Sequence, residues 1–305
     1  MRQAFSDTLV ELGKKDQKVL LLTGDHGYAL FDDFRRECPK QYINVGIAEQ
    51  NMVGLAAGLA RTGFKPVVYG LSAFVPIRVI EQIKLDVAHD KLPIIFIGDG
   101  AGFVYSHLGT SHQSTEDIAC SRSIPNLSVY SPADRFELEW CLHTAYKEKS
   151  AVYLRMGKSD IGDIHKLSLG MQSGDLIKVK TGVDSRVSFI ATGSMVKTAT
   201  DISGKLSIDV DVWSVPFIKP INHSIVEGIC RNNKFIVVFE EHSKYGGLGS
   251  LIAEIASASY PLKILQIAVD DCFSQKCGTY EYLLKEHGLD FESAYKKVCS
   301  FLQKL

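Results

Sequence analysis

The sequence predicts an α/β protein of two domains, each built on a mainly parallel β-sheet flanked by helices. Short apolar runs alternate with helix-like segments along both halves of the chain, as in folds whose strands are joined by crossover helices. The runs are continuous rather than alternating, which indicates strands covered on both faces, as in a parallel sheet. The length of 305 residues is enough for more than one hydrophobic core.

In the first half, five apolar runs predict strands over residues 19–22, 66–69, 93–97, 127–130 and 151–154. The segments between them predict helices over 47–62, 75–90 and 134–148. In the second half, four runs predict strands over 187–191, 209–213, 235–239 and 262–265. From Met156 to Gly182 the chain is rich in Gly, Ser, Asp and Lys without a period, which is typical of a connection. We therefore expect a first domain over 1–158, a linker over 159–183 and a second domain over 184–305.

The composition is that of an ordinary globular protein, with 46% hydrophobic and 23% charged residues and a mean hydropathy of +0.04. A net charge of -1 gives no electrostatic footprint for nucleic acid or an anionic membrane. No stretch reaches the roughly 18 apolar residues of a membrane span, and the first residues lack the apolar core of a signal peptide. The seven cysteines are scattered. We expect free thiols, no metal site on this chain and a cytoplasmic location.

One acidic residue, Glu49, opens a helix that is otherwise apolar or small on almost every side. A helix of that pattern is buried, and an unpaired buried carboxylate costs on the order of several kcal/mol. Two interpretations are open: a chemical role, or a first-turn carboxylate held by the helix dipole or an ion pair. Ligands gather at the carboxyl ends of parallel strands, where Asp25, the stretch 98–102 and Arg155 also fall. We expect the functional site along that edge of the first domain.

The stretch Asn-Val-Gly-Ile-Ala-Glu-Gln over residues 44–50 resembles the signature of thiamine-diphosphate enzymes of the transketolase and deoxyxylulose-phosphate synthase type. The similarity continues in order along the chain, through residues 74–83, 92–102, 111–119, 124–126, 131–134 and 240–249. Several motifs in the right order are far more specific than any single one. The resemblance implies a pyrimidine-binding domain followed by a transketolase C-terminal domain.

The resemblance implies roles for five residues. Glu49 would bind the aminopyrimidine of thiamine diphosphate and so activate the cofactor, and Phe74 would stack on the pyrimidine. Asp25 would lie close to the thiazolium ring. His112 would move protons or bind substrate hydroxyls, and Arg155 would bind a substrate phosphate through its guanidinium. Structural interpretations stay open: core for Phe74, a turn cap for Asp25 and a surface ion pair for Arg155.

Two glycine-rich sequences imitate cofactor-binding motifs. Gly98-Asp99-Gly100, with Asn126 further on, is similar to the Gly-Asp-Gly…Asn motif that binds magnesium and diphosphate. It falls within the segment that resembles the pyrimidine-binding domain, so we interpret it as a coincidence. The loop Gly246–Ser250 resembles a phosphate-binding loop, but its incomplete pattern favours a tight turn into a helix. The Mg²⁺ ligands are therefore expected on a separate polypeptide.

The resemblance begins at the pyrimidine-binding domain and implies the C-terminal subunit of a split transketolase, inactive by itself. Thiamine diphosphate would bind at the interface with a separate N-terminal subunit in an α2β2 assembly. The implied reaction transfers a two-carbon ketol unit from a ketose, expected to be phosphorylated, to an aldose. Two alternatives stay open: the β-subunit of a 2-oxo acid dehydrogenase, and a non-catalytic homologue. Transketolases commonly carry Thr-His where this chain has Asp99-Gly100, so donor and acceptor are left open.

Overall fold

The computed structural model describes residues 1–158, 160–167, 170 and 172–303, and it places their strands in two mainly parallel sheets. The strands are β1 (Val19–Thr23), β2 (Tyr42–Asn44), β3 (Lys65–Leu71), β4 (Ile95–Asp99), β5 (Leu127–Tyr130), β6 (Ala151–Met156), β7 (Ile177–Lys180), β8 (Val187–Ala191), β9 (Asp211–Ser214), β10 (Phe217–Lys219), β11 (Phe235–Ser243) and β12 (Lys263–Val269). The α-helices are α1 (Arg2–Lys15), α2 (Asp32–Glu37), α3 (Glu49–Arg61), α4 (Ile80–Gln82), α5 (Asp117–Arg122), α6 (Arg135–Lys147), α7 (Met195–Lys205), α8 (His223–Asn232), α9 (Leu248–Ala258), α10 (Tyr280–Glu286) and α11 (Phe291–Leu302). The predicted α/β class is confirmed.

The first sheet has the strand order β10-β5-β6-β4-β3-β1-β2, and every neighbouring pair is parallel except β10 with β5. Its strands are buried on both faces. In β1, Leu20 and Leu22 belong to a core covered by α3, whereas Val19 and Leu21 belong to a core covered by α1 and α6. This two-sided burial explains why the sequence shows continuous apolar runs.

The second sheet has the order β12-β11-β8-β9-β7, with only β7 antiparallel to its neighbour β9. One face packs on α7 and α11, and the other contributes to the same core that α3 covers in the first domain. Strand β7 lies inside the stretch 159–183 that we expected to be linker, so the second sheet begins earlier than residue 184. The rest of that stretch falls partly outside the described residues.

The helix predicted over 75–90 is interrupted. A turn of 3₁₀ helix (Ile77–Val79) leads into α4, and a π-helical segment (Ile83–Ala88) follows directly. Such segments change the helical pitch, so the side chains no longer follow one 3.6-residue period. Among the described helices, none combines the length and the apolar character needed to cross a membrane.

Strand β10 belongs to the second half of the chain but extends the first sheet. It pairs antiparallel with β5, where Phe217 lies opposite Tyr130, and the two rings pack edge to face with their centroids 4.7 Å apart. The Lys219 ammonium donates hydrogen bonds to the backbone carbonyls of Arg122 and Ile124. The two domains are therefore joined through a shared sheet as well as through a shared core.

A buried group of polar side chains attaches the segment after β6 to α6. Asp134 caps α6 by accepting from the backbone N–H of Glu137 at 3.0 Å, and it also accepts from His165 Nδ1 at 2.9 Å. The Glu137 carboxyl accepts from the N–H of Ala133 at 2.6 Å, and its other oxygen lies 3.7 Å from His165 Nε2. Burial raises the pKa of Glu137 to about 7. Native Glu137 therefore holds a proton that an exposed glutamate would lose.

We expect Glu137→Gln to flatten the pH dependence of stability. The glutamate pKa is about 7 in the native state, against 4.5 for an ordinary glutamate. Between these values the native state binds more protons than the unfolded chain, so the wild type loses stability as the pH rises through this window. The glutamine variant lacks the contribution of Glu137, whereas Glu240, whose pKa burial also raises to about 7, keeps its own. Urea unfolding at about pH 5 and about pH 8 will measure the difference between the two proteins. Glu139→Gln, exposed on the same helix, should keep the wild-type dependence. Parallel wild-type and Glu137→Gln profiles would contradict this account.

Candidate functional site

Three of the predicted site residues follow the carboxyl ends of strands β2, β3 and β4 in the first sheet. Glu49 is the first residue of α3, which follows β2 after a turn at Gly46 with φ of 73°. Phe74 follows β3, and His112 ends a 3₁₀ turn in the long loop after β4. The Gly46 turn needs the left-handed backbone region, which glycine adopts without strain. These connections bring Glu49, Phe74 and His112 to one edge of the sheet, as expected.

Glu49, Arg78, Phe74 and His112 form a continuous cluster. Glu49 is 7% exposed, and its Oε2 accepts a hydrogen bond from Arg78 Nη1 at 3.2 Å. The Arg78 guanidinium carbon lies 3.8 Å from the centroid of the Phe74 ring. The Phe74 ring in turn meets His112 edge to face at 5.3 Å. Glu49 therefore forms an ion pair within this chain, which is one of the interpretations that the sequence left open. We did not single out its partner, Arg78, from the sequence.

Arg78 places a planar group that donates N–H against both Glu49 and Phe74. A guanidinium is a planar cation that donates N–H groups in its own plane. Here it stacks on Phe74 and donates to Glu49 at the same time. An aminopyrimidine ring is also planar and can also present an N–H edge to a carboxylate, so the two side chains fit that half of thiamine diphosphate. The Arg78 side chain is 47% exposed, so it can leave without disrupting the core.

Asp25 and His26 border the same edge after β1. Asp25 is exposed, and its Oδ1 accepts a hydrogen bond from the Tyr28 hydroxyl at 2.5 Å. His26 lies over Tyr69 with ring centroids 5.6 Å apart, and its Nε2 is buried without a hydrogen-bond partner. Burial lowers the pKa of His26, and the Glu49 carboxylate is the strongest opposing influence. We assigned His26 no role from the sequence, although its position beside Asp25 was a usable signal.

Arg155, predicted to bind a substrate phosphate, is buried in an ion pair in this structure. The side chain is 2% exposed, with Nε donating to Asp117 Oδ2 at 2.7 Å and Nη2 donating to the carbonyl of Glu241 at 2.7 Å. Asp117 is itself fully buried and accepts a further hydrogen bond from the Tyr153 hydroxyl at 2.6 Å. Arg155 is therefore committed to a buried ion pair that links the two domains, which also differs from the surface ion pair considered above.

Gly98-Asp99-Gly100 and Asn126, which resemble a magnesium and diphosphate motif in the sequence, do not lie together in the structure. Asp99 ends β4, whereas Asn126 directly precedes β5. Both strands run parallel to β6, so Asp99 lies at the carboxyl ends of the strands and Asn126 lies at their amino ends. Asp99 Oδ2 accepts from the hydroxyls of Tyr69 and Tyr105, each at 2.8 Å. Within the described ranges, no group of three or more His, Cys, Asp or Glu side chains is placed to hold a metal ion.

The glycine-rich loop before α9 already holds a carboxyl group from its own chain. The Glu240 carboxylate accepts from the backbone N–H of Leu248 at 2.7 Å and of Gly249 at 2.8 Å. These are the free N–H groups of a helix N-terminus, which favour negative charge. A Cβ added at Gly247 would collide with the Glu240 carboxylate, so only glycine permits this approach. The loop is thus a tight helix entry, in agreement with our interpretation.

Comparison with known families assigns both halves of the chain. Residues 1–163 match the model of the transketolase pyrimidine-binding domain, and residues 177–293 match that of the transketolase C-terminal domain. The chain therefore belongs to the transketolase family, whose members are thiamine-diphosphate-dependent transferases. The family resemblance drawn from the sequence is confirmed.

Several individual proteins are similar to this chain over nearly their whole length. A putative transketolase C-terminal section of Methanocaldococcus jannaschii is 36% identical, over 100% of this chain and 96% of that protein. One subunit of an apulose-4-phosphate transketolase of Phocaeicola vulgatus is 30% identical, over 99% and 97% of the two chains. A solved structure described as a split gene transketolase in an inactive β4 tetramer superposes with a TM-score of 0.90 at 31% identity, covering 98% of this chain and 97% of that one.

Proposed function

We propose that this chain is the C-terminal subunit of a split transketolase, which transfers a two-carbon ketol unit from a ketose phosphate to an aldose. The observation that carries the proposal is the pairing of Glu49 with the Phe74 ring face. Together they receive a planar group that donates N–H, as Arg78 does in this structure. The similar proteins of the same length support the division into subunits, since one is described as a C-terminal section and another as a single subunit of a transketolase.

In this proposal Glu49 binds the ring nitrogen of the aminopyrimidine, and the Phe74 ring stacks on the face of the pyrimidine. When bound, thiamine diphosphate supplies a nucleophilic carbon and an electron sink for breaking a carbon–carbon bond. Glu49 is nearly buried, and a hydrogen bond to its carboxylate is stronger there than in water. His112, which lies against the edge of Phe74, is placed to bind a substrate hydroxyl or to move its proton. Asp25 helps to position the cofactor.

The surface beside Glu49 has the features of an interface with a second polypeptide. Ile47 is 80% exposed, and Leu55 on α3 is also exposed. On the same helix, a Cβ added at Gly54 or Gly58 would meet no atom within 4 Å, so the helix backbone is open to close approach. We propose that a separate N-terminal subunit covers this surface in an α2β2 assembly and supplies the groups that bind diphosphate and Mg²⁺. The free state of all seven cysteines fits a cytoplasmic location.

Reconstitution tests the proposal. The purified chain is mixed with a partner polypeptide that bears the Gly-Asp-Gly…Asn motif, together with thiamine diphosphate and Mg²⁺. A ketose phosphate and an aldose are supplied, and the products are identified by mass spectrometry. We expect turnover only when both chains are present. Turnover of pyruvate but not of ketoses would indicate a 2-oxo acid dehydrogenase component, and an absence of any cofactor-dependent turnover would overturn the proposal.

Arg78→Met should tighten the binding of thiamine diphosphate to the reconstituted pair by about 5-fold. The cofactor must otherwise displace a half-exposed ion pair and a cation–π contact, which together stabilise the free site by about 1 kcal/mol. Isothermal titration calorimetry measures the dissociation constants. Arg61→Met is the matched control, because Arg61 is a similarly exposed arginine paired with Asp90, and it should leave the affinity unchanged. Weaker binding by Arg78→Met would show that the guanidinium assists the cofactor instead.

A further inference from the structure

A second group of reactive side chains lies between the two domains, outside the Glu49 cluster. A groove of about 330 Å³ is lined by Thr115 and Glu116 from the first domain and by residues 269–273 from the second. Cys272 is exposed there beside Phe273, which is 81% exposed. The groove adjoins a smaller cavity that shares Cys272 and adds Gln113, Ser274 and His287. A thiol and an imidazole thus face the same space.

A chain of hydrogen bonds fixes the tautomer of this imidazole. The Ser274 hydroxyl donates to Gln113 Oε1 at 2.8 Å, so its oxygen is left to accept from the nitrogen 2.9 Å away, His287 Nε2. With the Gln113 amide oriented as in this structure, Nε2 carries the ring proton and Nδ1 carries the lone pair. Cys272 Sγ lies 4.0 Å from that Nδ1. The imidazole thus presents its basic nitrogen to the thiol.

His287 is also held rigidly and kept neutral. Its ring stacks on Phe103 with centroids 4.7 Å apart and an interplanar angle of 15°. Burial lowers the pKa of His287, so the lone pair is available near neutral pH. A nucleophile, a base and a third group that orients the base are the parts of an activated side-chain nucleophile. Here these parts are Cys272, His287 and Ser274.

Gln113 also indicates a ligand in this cavity. It is 6% exposed and lines the cavity beside Cys272, and its Nε2 is buried without a hydrogen-bond partner. A buried amide donor without an acceptor is costly, and an oxygen atom of a small molecule in the cavity would satisfy it. Gln113 directly follows His112, so the hydrogen-bond chain from Cys272 reaches the loop that carries a proposed site residue.

We propose that Cys272 is a base-assisted thiol that reacts with hydroperoxides, which makes this groove a redox modification site. His287 Nδ1 takes the thiol proton, and the sulfur attacks the nearer peroxide oxygen. The oxygen–oxygen bond breaks, and the departing hydroxide or alkoxide takes the proton back from His287. The sulfur is oxidised by two electrons to a sulfenic acid, and the hydroperoxide is reduced to water or an alcohol. This proposal does not depend on the transketolase assignment.

Peptide-resolved mass spectrometry tests the proposal on the intact chain. The protein is treated with hydrogen peroxide, sulfenic acids are trapped with dimedone, and the labelling rate of each cysteine is measured. Cys277 is the internal control, because it is exposed in the same loop and packs against Gly109 rather than an imidazole. Cys272 should be labelled about 10-fold faster than Cys277 or more. Equal rates for the two thiols would overturn the proposal.

Two variants separate base assistance from simple exposure. His287→Gln should lower the labelling rate of Cys272 to that of Cys277 and leave Cys277 unchanged, and an unchanged Cys272 rate would overturn the proposal. If His287→Gln also changes the labelling rate of Cys277, the substitution has disturbed the fold. In that case the Ser274→Ala variant tests the proposal. That variant removes the acceptor that fixes the tautomer while the stacked ring stays in place. A slower Cys272 in Ser274→Ala supports the proposal, and an unchanged rate overturns it.

Discussion

Glu49→Gln should lower the turnover of the reconstituted enzyme by about 10²–10⁴-fold, the range expected when a group that promotes proton transfer is lost. Glutamine keeps the shape of the side chain but removes the charge that favours an N–H on the facing ring nitrogen. The buried position of Glu49 increases this effect, because a low dielectric strengthens charge-assisted hydrogen bonds. Steady-state rates at saturating ketose and aldose give kcat, and calorimetry gives the affinity for thiamine diphosphate.

A matched control separates this role from the ion pair seen in the structure. Glu81→Gln changes an exposed carboxyl in the neighbouring helical segment and should leave kcat within about 2-fold of the wild type. If Glu49 served only as the partner of Arg78, its replacement would cost about 1 kcal/mol of stability or less, because Arg78 is half-exposed. Turnover near the wild-type value in Glu49→Gln would therefore refute the catalytic assignment.

Arg155→Met should destabilise the chain by about 3–5 kcal/mol, because it leaves the buried Asp117 carboxylate without its cation. The substitution also removes the hydrogen bond to the Glu241 carbonyl, which joins the two domains. Urea unfolding measures the loss. The double variant Arg155→Met with Asp117→Asn should recover part of it, since no unpaired charge then remains buried. Arg135→Met removes an exposed pair with Asp163 and should cost about 1 kcal/mol or less.

The same variant decides between the two roles considered for Arg155. A residue that only bound substrate phosphate would leave stability unchanged when replaced, and the KM for a phosphorylated donor would rise. A stable Arg155→Met protein with a raised KM would therefore restore our original expectation. A destabilised protein would confirm the structural role.

The strands of both sheets were largely predictable because burial on two faces leaves a continuous apolar run. The run at residues 235–239 is the start of β11, and the run at 151–154 is most of β6. Strands β2, β7 and β10 have three or four residues each and include Asn or Lys, so they do not show a continuous apolar run. Their positions depend on which neighbour they pair with, which is a property of the folded chain.

The proximity of the candidate site residues was predictable where a local motif contains them. Glu49, Phe74 and His112 each lie in a recognisable stretch, and the structure brings them together. The buried pairing of Arg155 with Asp117 was not predicted, because Asp117 is 38 residues away and nothing beside Arg155 in the sequence indicates it. Arg78 was overlooked for the same reason, since its contact with Glu49 spans 29 residues.

Strand β10 comes from the second half of the chain but pairs in the first sheet, and this limits how the protein can be divided into fragments. A fragment that ended in the linker would lack β10 and would expose the backbone of β5. An uncovered strand of that kind pairs readily with other chains and promotes aggregation. Producing the pyrimidine-binding half as a separate piece would therefore exchange an intramolecular partner for an intermolecular one, and the two halves are best regarded as a single unit of folding.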